Sequence, residues 1–240
     1  MANNTKVKGT ADVVFLLDVT DSMDYCIDAV KKNIRIFVQE LQKAQIDWRA
    51  RIIGFRNHEF NPADWIDADG SPFTADLNEL RRQLDGKKPS GGDPESLEES
   101  VLDALHYVSQ MEVASGRIDP GKWRPTGRTA KCVMLFTDAA CQDLVSYVPG
   151  NLELEDVGNA LASSRIRLSI IAPDFDCYHE LAEYNGVYYV PCGKPEDFPK
   201  MHLSAAELTP QEKANHKMTF EDIIRDFART VTATATEEAY

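Results

Sequence analysis

The sequence predicts an α/β fold of three layers, doubly wound, with a mostly parallel central sheet and helices on both of its faces. Two observations predict it. Short, strongly apolar runs with strand character alternate along the chain with stretches whose apolar residues recur at helical spacing, the order that builds a parallel sheet covered on both sides. The 240 residues, 43% hydrophobic and 27% charged, suffice for one substantial core and match an ordinary folded globular chain.

Taken in order, the first strand is read at residues 12–17, where an apolar run ends on Asp18. Further strands are read at 48–55, 131–137, 167–172 and 187–190. Ile27, Val30, Ile34, Phe37, Val38 and Leu41 trace one helical stripe, and Leu97, Val101, Leu105 and Val108 a second. Asp93 is a natural N-cap for that second helix, with Pro94 at its first position and Glu95 in its first turn. Phe220, Ile223, Ile224, Phe227 and Val231 form the clearest amphipathic stripe, packed back onto the sheet. Between the second strand and the next helix, "HEFNPADWIDADGSPFT" reads as a polar loop holding a short edge strand, anchored by Phe60, Trp65 and Phe73. The expected organisation is an N-terminal extension at 1–10, one domain at 11–231 and a frayed tail at 232–240.

Composition narrows the function classes. A formal net charge of −13 without any compensating basic run opposes phosphate backbones and anionic lipid, so neither nucleic acid nor membrane is expected as a partner. The start "MANNTKVKGT" lacks the apolar core of a signal peptide, and the apolar runs are too short to cross a bilayer. Five cysteines without a C-x-x-C pair fit reduced thiols, so a cytoplasmic location is expected. No G-x-S-x-G elbow, H-E-x-x-H pair or phosphate-binding glycine loop occurs. "CYHE" at 177–180 offers a thiol and an imidazole to zinc, but without a second pair.

Chemistry concentrates where strands end. In open α/β sheets, functional groups gather beyond the carboxyl ends of the parallel strands. Asp18 ends the first, followed by Thr20 and Ser22; Asp138 follows the third apolar run in "KCVMLFTDAA". Two carboxylates and two hydroxyls are hard oxygen donors suited to Mg²⁺ or Mn²⁺. A third loop, "KPSGGDPESLEES", adds Asp93, Glu95 and Ser96, each a candidate oxygen donor.

This constellation resembles the von Willebrand factor A (vWA) domain and its metal-ion-dependent adhesion site (MIDAS). The family pattern Asp-x-Ser-x-Ser is matched by Asp18, Thr20 and Ser22, with threonine keeping the first hydroxyl. "GGDPES" looks like the acidic branch of the family's second loop, and Asp138 matches the third-loop Asp. Asp21 and Ala139 stand where many members have glycine. The resemblance covers roughly residues 11–231 and implies a vWA/Rossmann-like sheet. It implies a metal held by Thr20, Ser22 and one second-loop group, for which counting back from Val101 selects Glu95, with Asp18 and Asp138 binding directly or through water. The position left open is filled in relatives by an acidic side chain of a protein partner.

The implied function is that of a stand-alone module recruiting a partner through Mg²⁺, without catalysis of its own. In stand-alone members the partner is an ATPase, a kinase or another regulatory protein encoded separately. Two rivals stand beside it: an Asp-based metal-dependent phosphatase using Asp18, and a structural subunit with a vestigial metal site. The phosphatase needs a second acid two residues after its nucleophile, where this chain has Thr20. Arg56, just past the second strand, is a candidate basic rim for an acidic partner, against the plainer reading of a solvated arginine.

Overall fold

The strand at Val13–Leu17 carries no polar residue because both its faces are covered. The computed structural model describes residues 8–90, 98–125, 127–189, 191–193 and 219–239. In it β1 (Gly9–Asp18) lies between β2 (Ile46–Phe55) and β5 (Ala130–Phe136). Val13, Phe15 and Leu17 join one apolar cluster with α1 (Asp24–Lys43), α2 (Leu77–Gly86) and the long C-terminal helix, Phe220–Glu237. Val14 and Leu16 join the other, with α3 (Val101–Gln110), α4 (Leu154–Ser163) and α5 (Asp176–Leu181). The C-terminal helix is α6 in this numbering. The alternation along β1 therefore sorts side chains between two helical layers, as a twofold strand period requires.

Six strands form the main sheet in the order β3-β2-β1-β5-β7-β8, where β3 is Ile66–Asp67, β7 Ile166–Ile171 and β8 Val187–Tyr189. Every pairing is parallel except that of β3, the short edge strand expected in the polar loop. A separate parallel pair joins β4 (Glu98–Glu99) to β6 (Ala140–Cys141). All five expected strands are present; of the last, residue 190 lies outside the described residues. Helices α4 and α5 were not singled out by the sequence reading.

Packing between α1, α6 and β1 centres on three rings. Phe15 meets Phe37 edge-on at 5.1 Å and Phe227 at 6.0 Å, while Phe37 and Phe227 stack at 5.6 Å. All three are buried, each contributing about 2–3 kcal/mol by removal from water. The first residue of β1 approaches α6 closely: a Cβ on Gly9 would lie 2.3 Å from the Ala235 carbonyl oxygen, so only glycine fits. At this end of β1, Asp12 is fully buried between two arginines. Its Oδ1 accepts from Arg49 Nε at 2.8 Å and Arg124 Nε at 2.6 Å; Oδ2 accepts from a second Arg49 nitrogen and the Arg124 amide.

Three expectations need correction. The helix expected to run from Pro94 through Leu97 begins only at Val101, because Glu98–Glu99 pair as a strand with Ala140–Cys141 and Ser100 is its N-cap at φ −71°, ψ 50°. Asp93 therefore does not cap α3; Asp93, Glu95 and Ser96 lie outside the described residues. The tail expected to fray is helical through Glu237, with Thr234 and Ala235 buried. Its threonines bond back to carbonyls four residues earlier, Thr232 to Ala228 at 2.8 Å and Thr236 to Thr232 at 2.8 Å. Of the loop aromatics, Trp65 and Phe73 are buried anchors, but Phe60 is 54% exposed and anchors nothing.

Candidate functional site

The register of the sheet brings the two acids together. Leu17 pairs with Phe136 across β1 and β5, so the residues just beyond, Asp18 and Thr137, are neighbours at the carboxyl ends of adjacent parallel strands. These strands flank the point where the chain order reverses, β2 lying on one side of β1 and β5 on the other.

From there a continuous hydrogen-bond chain runs through every described candidate. Thr137 Oγ1 donates to Asp18 Oδ2 at 2.8 Å. Asp18 Oδ1 accepts from the Thr20 amide at 3.0 Å and the Thr20 hydroxyl at 2.7 Å. Thr20 Oγ1 lies 3.3 Å from Ser22 Oγ, which donates to Asp138 Oδ1 at 3.2 Å. The extended Thr20 and the single 3₁₀ turn at Asp21–Met23 give the Thr20–Ser22 spacing its meaning, since they turn both hydroxyls toward the acids. Asp18 and Thr20 are buried, Asp138 is half-buried and Ser22 is exposed, so the cluster opens to solvent on the Ser22 side.

The electrostatics are those of two neighbouring acids, the more buried of which shifts the more. Among the described residues no lysine, arginine or histidine forms an ion pair with Asp18 or Asp138. Burial, and then the charge of Asp138, pushes the Asp18 carboxyl up to about 6, against hydrogen bonds from Thr20 and Thr137 that favour its ionised form. Burial also raises Asp138, with the Ser22 hydroxyl opposing. Tyr25 stands close enough that, after burial, the charge of Asp138 helps drive its phenol upward. Thr137 and Tyr25 were both missed by the sequence reading; the signal for Thr137 was its place directly before Asp138 at the end of an apolar run.

The chain on either side of residues 91–97 is anchored at this cluster. The Ser90 amide donates to the Val19 carbonyl at 3.0 Å, one residue from Thr20, and Glu98 pairs with Ala140, two residues from Asp138. Arg56 secures the first anchor. Its guanidinium donates to the Ser90 carbonyl and hydroxyl at 3.1 and 3.2 Å, to the Lys88 carbonyl at 2.9 Å and to the Asp64 carbonyl at 3.3 Å. Arg56 is 7% exposed, so it is neither a basic rim nor a solvated side chain. Its charge is spent holding loops in place.

The donor set has the chemistry of a hard-cation site: two carboxylates and three hydroxyls, with no imidazole or thiol in the hydrogen-bond chain. Among the described residues no group of three or more His, Cys, Asp or Glu is placed to hold a metal ion. The "CYHE" stretch makes no such site either. Cys177 accepts from the Cys141 amide, while His179 pairs with Asp174 at 2.7 Å. His106 is half-buried and bonded to the Tyr147 hydroxyl at 2.8 Å, a structural role.

The chain is thus a doubly wound α/β domain with an acid and hydroxyl cluster at its topological switch point. The family model of the von Willebrand factor type A domain matches residues 12–187, more than half of the chain, and the chain belongs to that family. Domains of this family are commonly protein-interaction modules. No curated protein matches the chain. No helix among the described residues is long and apolar enough to cross a membrane.

Proposed function

We propose that this chain is a metal-dependent protein-recruitment module, a stand-alone vWA protein whose MIDAS engages an acidic side chain of a partner protein. The observation that carries this reading is the unbroken chain Thr137–Asp18–Thr20–Ser22–Asp138, which holds two acids together with no basic counter-charge among the described residues. Thr20, Ser22, Asp18 and Asp138 would hold Mg²⁺ or Mn²⁺, with Glu95 or Asp93 as the expected donor from the loop anchored at Ser90 and Glu98. Bound there, the ion supplies a Lewis-acidic point that neutral hydroxyl ligands leave short of negative charge and therefore attractive to one more carboxylate.

The chain's own residues do the rest. Asp18 is fixed by three hydrogen bonds, so its oxygens are oriented before any ion arrives. Ser22 marks the solvent-facing side, the direction from which a partner carboxylate approaches. The reading gives the chain no catalytic role, and its five free thiols fit a reducing cytoplasm.

The test is calorimetric titration of the full chain with MnCl₂ and MgCl₂, repeated for Asp138→Ala and Ser22→Ala, followed by partner capture in Mg²⁺ and in chelator. Stoichiometric binding that both variants weaken, with capture lost in chelator, is the expected result. Absence of binding by the folded wild-type chain at millimolar ion, or capture indifferent to both chelator and Asp138→Ala, overturns it.

A further inference from the structure

Outside the acid cluster, two cysteines far apart in sequence are in contact. Cys141 lies on β6, three residues after Asp138, and Cys177 is the second residue of α5. The Cys141 amide donates to Cys177 Sγ at 3.2 Å, which sets the Cys177 sulfur against the Cys141 backbone. Their backbones are held independently of this contact. β6 is paired to β4, and the buried Tyr178 hydroxyl, next to Cys177, donates to the Ala139 carbonyl at 2.6 Å.

We propose that Cys141 and Cys177 form a dithiol site that a hydroperoxide oxidises reversibly to a disulfide, with Cys177 as the attacking sulfur and Cys141 as the resolving one. The division of labour follows from exposure. Cys177 is half-buried, whereas Cys141 is 7% exposed, so Cys177 is the more accessible of the two. The electrostatics agree. Hydrogen bonds from Cys141, side chain first and then amide, hold the Cys177 thiol below the ordinary thiol range. Burial raises the others: Cys132 and Cys192 to about 12, Cys26 and Cys141 well above their usual value.

In the first step the Cys177 thiolate attacks one peroxide oxygen. The O–O bond breaks, the leaving oxyanion takes up a proton, and Cys177 becomes a sulfenic acid. In the second, Cys141 sulfur attacks Cys177 sulfur; the S–S bond forms, the S–O bond breaks, and hydroxide leaves as water with the Cys141 proton. Two thiols and one hydroperoxide give one disulfide, one alcohol (or water, from hydrogen peroxide) and one water.

The experiment uses the reduced full chain in chelator, so its outcome is independent of the metal site. After stoichiometric tert-butyl hydroperoxide, the free thiols are alkylated and the protein is digested without reduction. The expected result is a fall from five free thiols to three, a peptide crosslinked through Cys141 and Cys177, and recovery of five on adding dithiothreitol. In Cys141→Ser, dimedone should label Cys177 selectively. Five thiols remaining in the folded wild-type chain under excess peroxide, a disulfide between other cysteines, or dimedone on another cysteine each overturns the proposal. The wild-type count decides even where the serine variant fails to fold.

Discussion

Replacing Asp18 by asparagine should stabilise the metal-free protein at neutral pH. The fully buried carboxyl titrates at about 6 in the folded chain against 3.8 ordinarily, and a displacement of that size corresponds to about 3 kcal/mol. The sign follows from the direction. A raised folded-state pKa means that the group favours folding below the unfolded value, and that this advantage is lost as pH rises from 3.8 through about 6. Above that range the ionised Asp18 holds stability about 3 kcal/mol below its low-pH level. Asparagine does not ionise, so it lifts this penalty. It leaves the Thr137 hydroxyl without its present acceptor, at about 1 kcal/mol. Urea titrations in chelator, followed by tryptophan fluorescence at about pH 4 and about pH 8, isolate the ionisation. The stability of Asp18→Asn relative to wild type should grow by about 2 kcal/mol between the two. Saturating Mg²⁺ should then reverse the order, since only the wild type gains by binding. A relative stability that stays flat or falls with rising pH refutes the placement of Asp18 as a buried acid whose carboxyl is pushed up by burial.

Thr137→Val removes a donor from Asp18, so the acid's pKa should move further up and the pH-dependent loss of stability in chelator should extend to higher pH, measurable by the same titrations. Arg56→Met strips a buried guanidinium from the Lys88, Ser90 and Asp64 carbonyls, and should cost about 2–3 kcal/mol in urea unfolding while weakening Mn²⁺ binding in calorimetry. Gly158→Ala on α4 would place a Cβ 2.6 Å from the Tyr184 ring; thermal melts should show a loss of about 1–3 kcal/mol despite alanine's better helix propensity.

The strands and the acids at their ends were legible because their signal is local. An apolar run that stops on an aspartate names both the strand and its functional end, as at Asp18 and Asp138. What escaped depends on contacts distant in sequence. The late start of α3 follows from Glu98–Glu99 pairing with Ala140–Cys141, and nothing between residues 94 and 101 announces that partner. Arg56 reads as solvated because a lone arginine after a strand usually is; its carbonyl acceptors lie 8, 32 and 34 residues away. The tail reads as frayed from its place at the end of the sequence, yet the close seat of Ala235 against Gly9 and the back-bonded hydroxyls keep it helical. The second-loop choice of Glu95 over Asp93 and Ser96 rests on counting positions back from Val101 to where the family's acid falls, and those residues lie outside the described ones.

Strand β1 carries a buried carboxylate near each of its ends, and the two have opposite needs. Asp12 brings its cations with it, two guanidinium groups covalently part of the same chain, so dissolved ions have nothing to add there. Among the described residues Asp18 is bonded by hydroxyls and an amide alone, all of them neutral. One short stretch of backbone therefore joins a carboxylate neutralised by its own chain to one held by neutral donors, and under the proposed function it is the second that would answer to the ionic make-up of the surroundings.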